Sequence, residues 1–107
     1  QLLRPVLEEE SSNALTIEGI QRAVAEFYDI RVADMTSKRR PRYIAFPRQV
    51  AMYLCRKLTD FSSPAIAESF NRNHATILHA ANTVEKRMKE NVDSRHTVGK
   101  LERSLKG

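Results

Sequence analysis

Apolar side chains recur at intervals of three and four residues along most of the chain, which is the spacing of one face of an α-helix. The first such helix follows Thr16, a residue that can cap it, and runs to about Tyr28. Its apolar positions are Ile17, Ile20, Val24 and Phe27. A short turn near 32–35 follows, and no strand-like alternation lasts long enough to predict a sheet. The pattern predicts an all-α fold, a compact helical domain.

Two prolines interrupt this helical pattern in the middle of the chain. Pro41 and Pro47 each disfavour a helical conformation at the residue before them. We therefore predict an extended loop over residues 37–46, followed by a helix with Pro47 in its first turn. The apolar side of that helix is Val50, Leu54 and Leu58.

The second half of the chain predicts a short helix, a tight polar turn and a longer helix. Ser62 or Ser63 can cap the short helix, with Pro64 in its first turn. Residues 71–73 form the turn, and Asn73 stands where the N-cap of the longer helix belongs. This arrangement is typical of a helix-turn-helix, whose second helix enters the major groove of DNA.

The first residues of that longer helix are candidates for contact with base edges. They are Asn73, His74, Ala75 and Thr76, which are small or polar and carry no acidic charge. The helix is predicted to run to about Glu90, and Ser94 can start a last helix after it. Spacing alone does not separate this unit from an ordinary helical hairpin, and capping can be the whole role of Asn73.

Positive charge is concentrated in one block of this chain, which has 107 residues and a net charge of +5. Residues 35–59 contain seven basic side chains and no acidic one, whereas a solvated face usually mixes both signs. The seven are Lys38, Arg39, Arg40, Arg42, Arg48, Arg56 and Lys57. The excess of Arg over Lys favours nucleic acid as the partner. A basic loop beside a recognition helix can also enter the minor groove.

The length fits a single domain, and no apolar run is long enough to span a membrane. The single Cys55 excludes an internal disulfide and is predicted to be a small buried hydrophobe, consistent with a reducing compartment. Because the chain opens with Gln1, we expect it to be a fragment of a longer protein. We see no Gly-rich phosphate loop, no catalytic set and no metal-ligand spacing. We therefore expect no catalytic residue, no metal and no enzyme activity here.

Four segments resemble, in this order, the C-terminal DNA-binding domain of the DnaA family, the bacterial chromosomal replication initiators. They are Leu15–Gln21, Ser37–Arg42, Pro47–Met52 and His74–Ala80. The resemblance implies a helix-turn-helix DNA-binding domain over residues 14–107, with the end of an upstream linker helix at residues 1–13. It implies sequence-specific binding to double-stranded DNA at the boxes of a replication origin, and a cytoplasmic, nucleoid-associated protein.

The same resemblance implies a role for individual residues. Arg40 matches a minor-groove contact, and Arg48, Gln49 and Arg56 match phosphate contacts. His74 and Thr76 match residues that read bases and contact phosphate, and the helix start at Ser63 and Pro64 offers N–H groups to a phosphate. The full candidate set is Lys38, Arg39, Arg40, Arg42, Arg48, Gln49, Arg56, Ser63, Pro64, Arg72, Asn73, His74, Ala75 and Thr76.

Members of the family carry an ATPase module upstream that binds ATP and magnesium, and the full-length proteins self-assemble on DNA and meet replication regulators. We expect no cofactor in this fragment. The sequence departs from the family pattern at the turn 71–73, which is one residue shorter than usual. Asn73 replaces an Asp, Ala75 replaces a Thr, and residues 82–83 replace an Arg-Lys pair. Because of these departures, we do not assume that this domain binds the family's usual DNA box with the usual affinity.

Two other functions are compatible with the pattern. A protein-interaction module could use the basic loop to dock an acidic regulatory partner. A transcription factor of related fold would share the helix-turn-helix. Binding to random duplex DNA separates the first from a DNA-binding module, and a nucleotide-binding motif upstream would separate the second.

Overall fold

The computed structural model describes residues 15–38 and 41–107. These residues form five α-helices and one 3-10 turn, and the described ranges contain no strand. The elements are α1 (Ile17–Tyr28), the 3-10 turn (Val32–Met35), α2 (Arg42–Leu58), α3 (Ser63–Phe70), α4 (His74–Glu90) and α5 (Val92–Lys106). The predicted all-α fold is confirmed. The linker helix predicted at residues 1–13 lies outside the described residues, as do Arg39 and Arg40.

Helix α1 begins and ends as the sequence predicts. The Thr16 hydroxyl accepts a hydrogen bond from the Gly19 N–H at 2.9 Å, which satisfies a donor that the helix itself leaves unpaired. At the other end Asp29 adopts the left-handed conformation (φ 58°), which a short polar side chain tolerates. The predicted turn at 32–35 is the 3-10 turn.

The prediction for residues 42–46 is wrong, because α2 begins at Arg42 and Pro47 lies inside it. Pro47 removes one hydrogen bond of the helix, to the carbonyl of Tyr43, and its ring crowds that carbonyl. Tyr43 is 60% exposed, so water can reach its carbonyl, while Ile44 and Pro47 are buried. The burial of Ile44 and Pro47 outweighs the local preference on which the loop prediction was based. Arg42 is therefore a helical residue and not part of a loop.

The turn between α3 and α4 is closed by backbone hydrogen bonds. The Asn71 N–H donates to the Glu68 carbonyl at 3.1 Å, and the Arg72 N–H donates to the Ala67 carbonyl at 2.9 Å. This pair of bonds is a Schellman motif, which requires a left-handed residue, and Asn71 supplies it with a φ of 59°. The helix-turn-helix predicted from the sequence is therefore present, with a turn of residues 71–73.

The starts of α3 and α4 are confirmed, and the start of α5 is corrected. The Ser62 hydroxyl caps α3, and the Asn73 side-chain carbonyl caps α4 by accepting from the Thr76 N–H at 3.0 Å. Helix α5 begins at Val92 rather than at Ser94. Asn91 is its cap and accepts from the Ser94 N–H at 2.9 Å. Asn91 is also the C-cap of α4, so one residue caps two successive helices.

Apolar side chains from all five α-helices form one core. Its largest fully buried members are Phe70, Ile20, Met35, Ile44, Met52, Leu54, Ile66 and Ile77. Cys55 is fully buried, as predicted, and burial raises the pKa of its thiol to about 12, with a further contribution from the negative charge of Glu18. Phe27, which the period assigns to the apolar face of α1, is instead 43% exposed.

The core predicts a large loss of stability when its biggest side chain is truncated. Phe70 is fully buried at the end of α3, so Phe70→Ala should lower the free energy of unfolding by about 3–5 kcal/mol, measured by urea denaturation. Phe61→Ala removes the same atoms from a side chain that is 48% exposed, and it should cost clearly less. Equal losses for the two variants would contradict this description of the core.

The cap of α4 predicts opposite outcomes for two substitutions at one position. Asn73→Ala removes the acceptor for the Thr76 N–H and should lower the free energy of unfolding by about 1 kcal/mol. Asn73→Asp keeps an acceptor there and adds negative charge at the positive end of the helix dipole, so it should be neutral or stabilising by up to about 1 kcal/mol. Urea denaturation of both variants measures this difference, and an Asp variant as unstable as the Ala variant would contradict the capping role.

Candidate nucleic-acid interface

The basic block 35–59 is divided by the fold into separate surfaces. Arg42 is exposed in the first turn of α2. Lys57 lies near the other end of α2, where its ammonium group forms an ion pair with Glu102 of α5 at 3.2 Å. The hydrogen bond to Glu102 raises the pKa of Lys57, and partial burial opposes that rise. Residues 35–59 contain no acidic residue, but the fold places the carboxylate of Glu102 from α5 beside Lys57.

A cleft of about 620 Å³ lies between the N-terminal half of α2 and the first half of α4. It is lined by Lys38, Ala45, Arg48, Gln49, Met52, Arg72, Thr76, His79 and Ala80. Three of these side chains are cationic, and none of the described lining residues is acidic. The cleft unites five residues of the predicted set: Lys38, Arg48, Gln49, Arg72 and Thr76. Its charge suits an anionic ligand.

Arg48 is buried at the wall of this cleft, with 7% of its surface exposed. Its Nε and Nη2 donate to the Asp34 carbonyl at 3.1 and 2.7 Å, and Nη2 also lies 3.3 Å from the Ser37 hydroxyl. The guanidinium thus binds the segment that precedes α2. The family resemblance implies a phosphate contact for Arg48, and the geometry adds a structural role that spacing does not reveal.

Arg72, in the turn of the helix-turn-helix, binds the same segment. Its Nη2 donates to the Ser37 carbonyl at 2.6 Å, and its Nη1 donates to the carbonyls of Phe70 and Asn71 at 3.1 Å each. The Lys38 ammonium lies 3.5 Å from the same Asn71 carbonyl. The chain that leads into the basic residues 39–40 therefore lies directly against the turn.

A second cationic point lies at the start of α3. The exposed Arg56 guanidinium donates to the Ser63 hydroxyl at 3.0 Å, so the fold brings together residues that were predicted separately. Pro64 follows in the first turn of α3, and the first turn contains no acidic residue. A guanidinium beside the positive end of a helix is an arrangement that favours a phosphate or another anion.

The first turn of α4 presents its predicted residues to solvent. Asn73, His74 and Ala75 are exposed, and the Asn73 side-chain oxygen accepts hydrogen bonds from both the N–H and the hydroxyl of Thr76. A side chain that used this oxygen and its amide to pair with an adenine edge would have to give up the cap. His74 and Ala75 are thus the residues of this turn whose exposed side chains are not committed to capping it.

Two residues of this surface were missed by the sequence analysis. His79 lines the cleft, and Leu78 is 38% exposed on the same helix although leucine is usually assigned to a core. The available signal was position, because residues three and four places after Ala75 share its helical face. Among the described residues no three His, Cys, Asp or Glu side chains group as metal ligands. Within the same ranges, no helix has the length and apolar character to cross a membrane.

Comparison with known proteins agrees with this geometry. Residues 17–84 match the family model for the bacterial DnaA protein helix-turn-helix. The chain is 49% identical over 98 residues to the chromosomal replication initiator proteins DnaA of Bordetella pertussis and Bordetella avium, which covers 91% of this chain. It spans about a fifth of the length of these relatives, 21% and 20% respectively.

A solved structure of a DNA replication initiation factor has the same fold. It matches 94% of this chain with a TM-score of 0.77 and 33% sequence identity, and the match covers 31% of that structure's chain. The family match includes α1 through most of α4, and thus α3, the turn and all the lining residues of the cleft. The chain therefore belongs to the bacterial DnaA family, of which it contains the helix-turn-helix region.

Proposed function

We propose that this domain binds duplex DNA in a sequence-specific manner and recognises the DnaA boxes of a replication origin. The observation that carries the proposal is the cationic cleft that adjoins the exposed first turn of α4. Membership of the DnaA family supports it independently of the geometry. In this proposal affinity comes from phosphate contacts, and specificity comes from contacts in two adjacent grooves.

Phosphate contacts are assigned to the cationic and polar side chains on both sides of α4. Lys38, Gln49 and Thr76 line the cleft, where they can follow one strand of the duplex. Arg56 and the start of α3 at Ser63 form the second point of contact. Neutralising phosphates in this way releases counterions, which favours binding to any sequence. Arg39 and Arg42 belong to the same basic stretch of the sequence and would add positive charge.

Base contacts are assigned to the first turn of α4 and to the basic arm, which is the stretch of sequence from residue 37 to residue 41. His74 and Ala75 face solvent and would meet base edges in the major groove. Arg40 is assigned to the adjacent minor groove, where an arm often complements a recognition helix. Since Asn73 is committed to capping, it would contribute less to base reading than an uncommitted side chain. We therefore propose a site that is less strict at the base pairs facing Asn73 and Ala75.

In the full-length protein this domain would hold an upstream ATPase module at the origin. That module would lie outside the fifth of the relatives' length that this chain matches. The binding of ATP and magnesium, the self-assembly on DNA and the contacts with regulators would belong to the full-length protein. The domain itself needs no cofactor or catalytic residue for the proposed role, and the protein would act in the cytoplasm on the nucleoid.

The decisive experiment is selection of bound sites from a pool of random duplexes. The proposed function predicts enrichment of a short asymmetric motif, with less conservation at one or two positions. If all duplexes bind and no motif is enriched, the proposed base contacts are wrong and only the proposed phosphate contacts remain. No binding to any duplex, combined with capture of an acidic protein, would instead support the protein-interaction alternative.

Salt dependence provides the first prediction for this interface. The affinity should fall steeply with salt, and Arg56→Ala should reduce the magnitude of the log–log slope by about 0.9, the contribution of one phosphate contact. Lys57→Ala removes the same charge from the next residue, whose ammonium pairs with Glu102, and should change the slope less. Titrations at several salt concentrations measure this. A slope near zero for the unmodified domain would contradict phosphate binding altogether.

Ala75 provides the second prediction. Ala75→Thr adds a hydroxyl to an exposed position of the first turn, so it should sharpen preference at one or two adjacent base pairs by about tenfold and leave the others unchanged. A substitution series across the selected site, measured with both proteins, tests this. If the unmodified domain already discriminates about a hundredfold at those pairs, another residue compensates for Ala75 and the prediction is wrong.

A further inference from the structure

Two arginines of the predicted DNA-binding set direct their donors into the protein. Arg72 donates to the carbonyls of Phe70, Asn71 and Ser37, and the last of these bonds joins residues 35 positions apart. It is also the shortest of the three, at 2.6 Å. Arg72 is half-buried, in contrast to the exposed Arg42 and to Arg56. A guanidinium has five N–H groups in a fixed fork, and Arg72 uses three of them in these bonds. Few donors are therefore left for a phosphate.

Arg48 of α2 binds the same segment. It donates to the Asp34 carbonyl through two nitrogens, and its Nη2 lies 3.3 Å from the Ser37 hydroxyl. Ser37 is therefore held twice, at its carbonyl by Arg72 and at its hydroxyl by Arg48. The next residue, Lys38, also lies against the turn through the Asn71 carbonyl. Three contacts from two distant parts of the chain thus converge on residues 37–38.

We propose that Arg48 and Arg72 form a guanidinium clamp that positions residues 37–38 against the helix-turn-helix turn. This inference rests on the proposed function, since its consequence concerns DNA. The clamp fixes residues 37–38, the first of the basic arm, relative to the turn that precedes α4. Arg72 belongs to the turn itself, so its bond to the Ser37 carbonyl joins the two directly.

The clamp affects sequence preference more than overall affinity. Binding to random DNA depends on how many phosphates are neutralised, and a loosely held arm can still supply its charges. Base contacts need donors held close to a productive geometry by their supporting shell. An arm that is free before binding must also be ordered on binding, which costs conformational entropy. Arg72 is therefore a positioning residue in this proposal and not a phosphate contact.

Replacing Arg72 by lysine separates the two roles, because lysine keeps the charge but lacks the planar fork. Arg72→Lys and Arg72→Ala should both weaken binding to the best selected duplex by roughly tenfold, the weight of one good base contact. Binding to a random duplex should change by less than about threefold for the lysine variant. The controls are Arg95→Lys and Arg95→Ala at an exposed position of α5, which should leave the ratio of the two affinities unchanged.

A second measurement tests the clamp without DNA. Trypsin cleavage after Lys38 should be roughly tenfold faster in Arg72→Lys than in the unmodified domain, because cleavage reports local opening of that segment. Cleavage after Arg103 of α5 in the same digest is the internal control and should not change. Faster cleavage at both positions would show a general loss of stability and would overturn the positioning role.

The remaining outcomes are equally distinct. If Arg72→Lys binds like the unmodified domain while Arg72→Ala loses affinity equally for selected and random duplexes, Arg72 is a phosphate contact and the clamp is wrong. If the unmodified domain shows no sequence preference at all, the proposed function fails first. In that case the cleavage after Lys38 decides the clamp by itself, and an unchanged rate in Arg72→Lys overturns it.

Discussion

The packing of α2 across α4 is the contact on which the rest of this structure depends. These two helices share the most extensive contact of any pair in the described ranges. Several of their buried side chains are small, including Ala51 and Cys55 on α2 and Ala80 and Ala81 on α4. Small side chains let two helices approach closely. Because α2 carries one wall of the cleft and α4 carries the other, this crossing sets the width of the candidate interface.

The charge of the cleft depends on how its buried guanidinium is satisfied. A buried cation needs hydrogen-bond partners, since its desolvation would otherwise be prohibitive. Arg48 finds them in the Asp34 carbonyl and the Ser37 hydroxyl, while the Asp34 carboxylate lies 3.4 Å from Arg31 instead. These two oxygens hold the guanidinium of Arg48 at the wall of the cleft. The cleft is lined by the cationic side chains of Lys38, Arg48 and Arg72, and none of the described lining residues is acidic, so its charge suits an anionic ligand.

The turn of the helix-turn-helix shows how a shorter sequence is accommodated. Asn71 adopts the left-handed conformation that is more often supplied by glycine, and Asn73 closes the turn by capping α4. Arg72 between them donates to the Ser37 carbonyl. The three residues thus end one helix, connect to the arm and start the next helix. The side-chain oxygen of Asn73 is therefore committed to Thr76 within the protein.

The sequence by itself determined the helical class, the caps at Thr16 and Asn73, and the helix-turn-helix, because these follow from local spacing and local hydrogen bonds. It also indicated the basic character of the interface, since charge is a property of composition. The tertiary structure alone decided that α2 starts before Pro47, because burial of Ile44 and Pro47 outweighs the local cost of proline. It alone decided which cations line the cleft and which, like Arg48 and Lys57, have partners within the protein. Those partners lie far away along the chain, and only the packing of helices brings them within hydrogen-bonding distance.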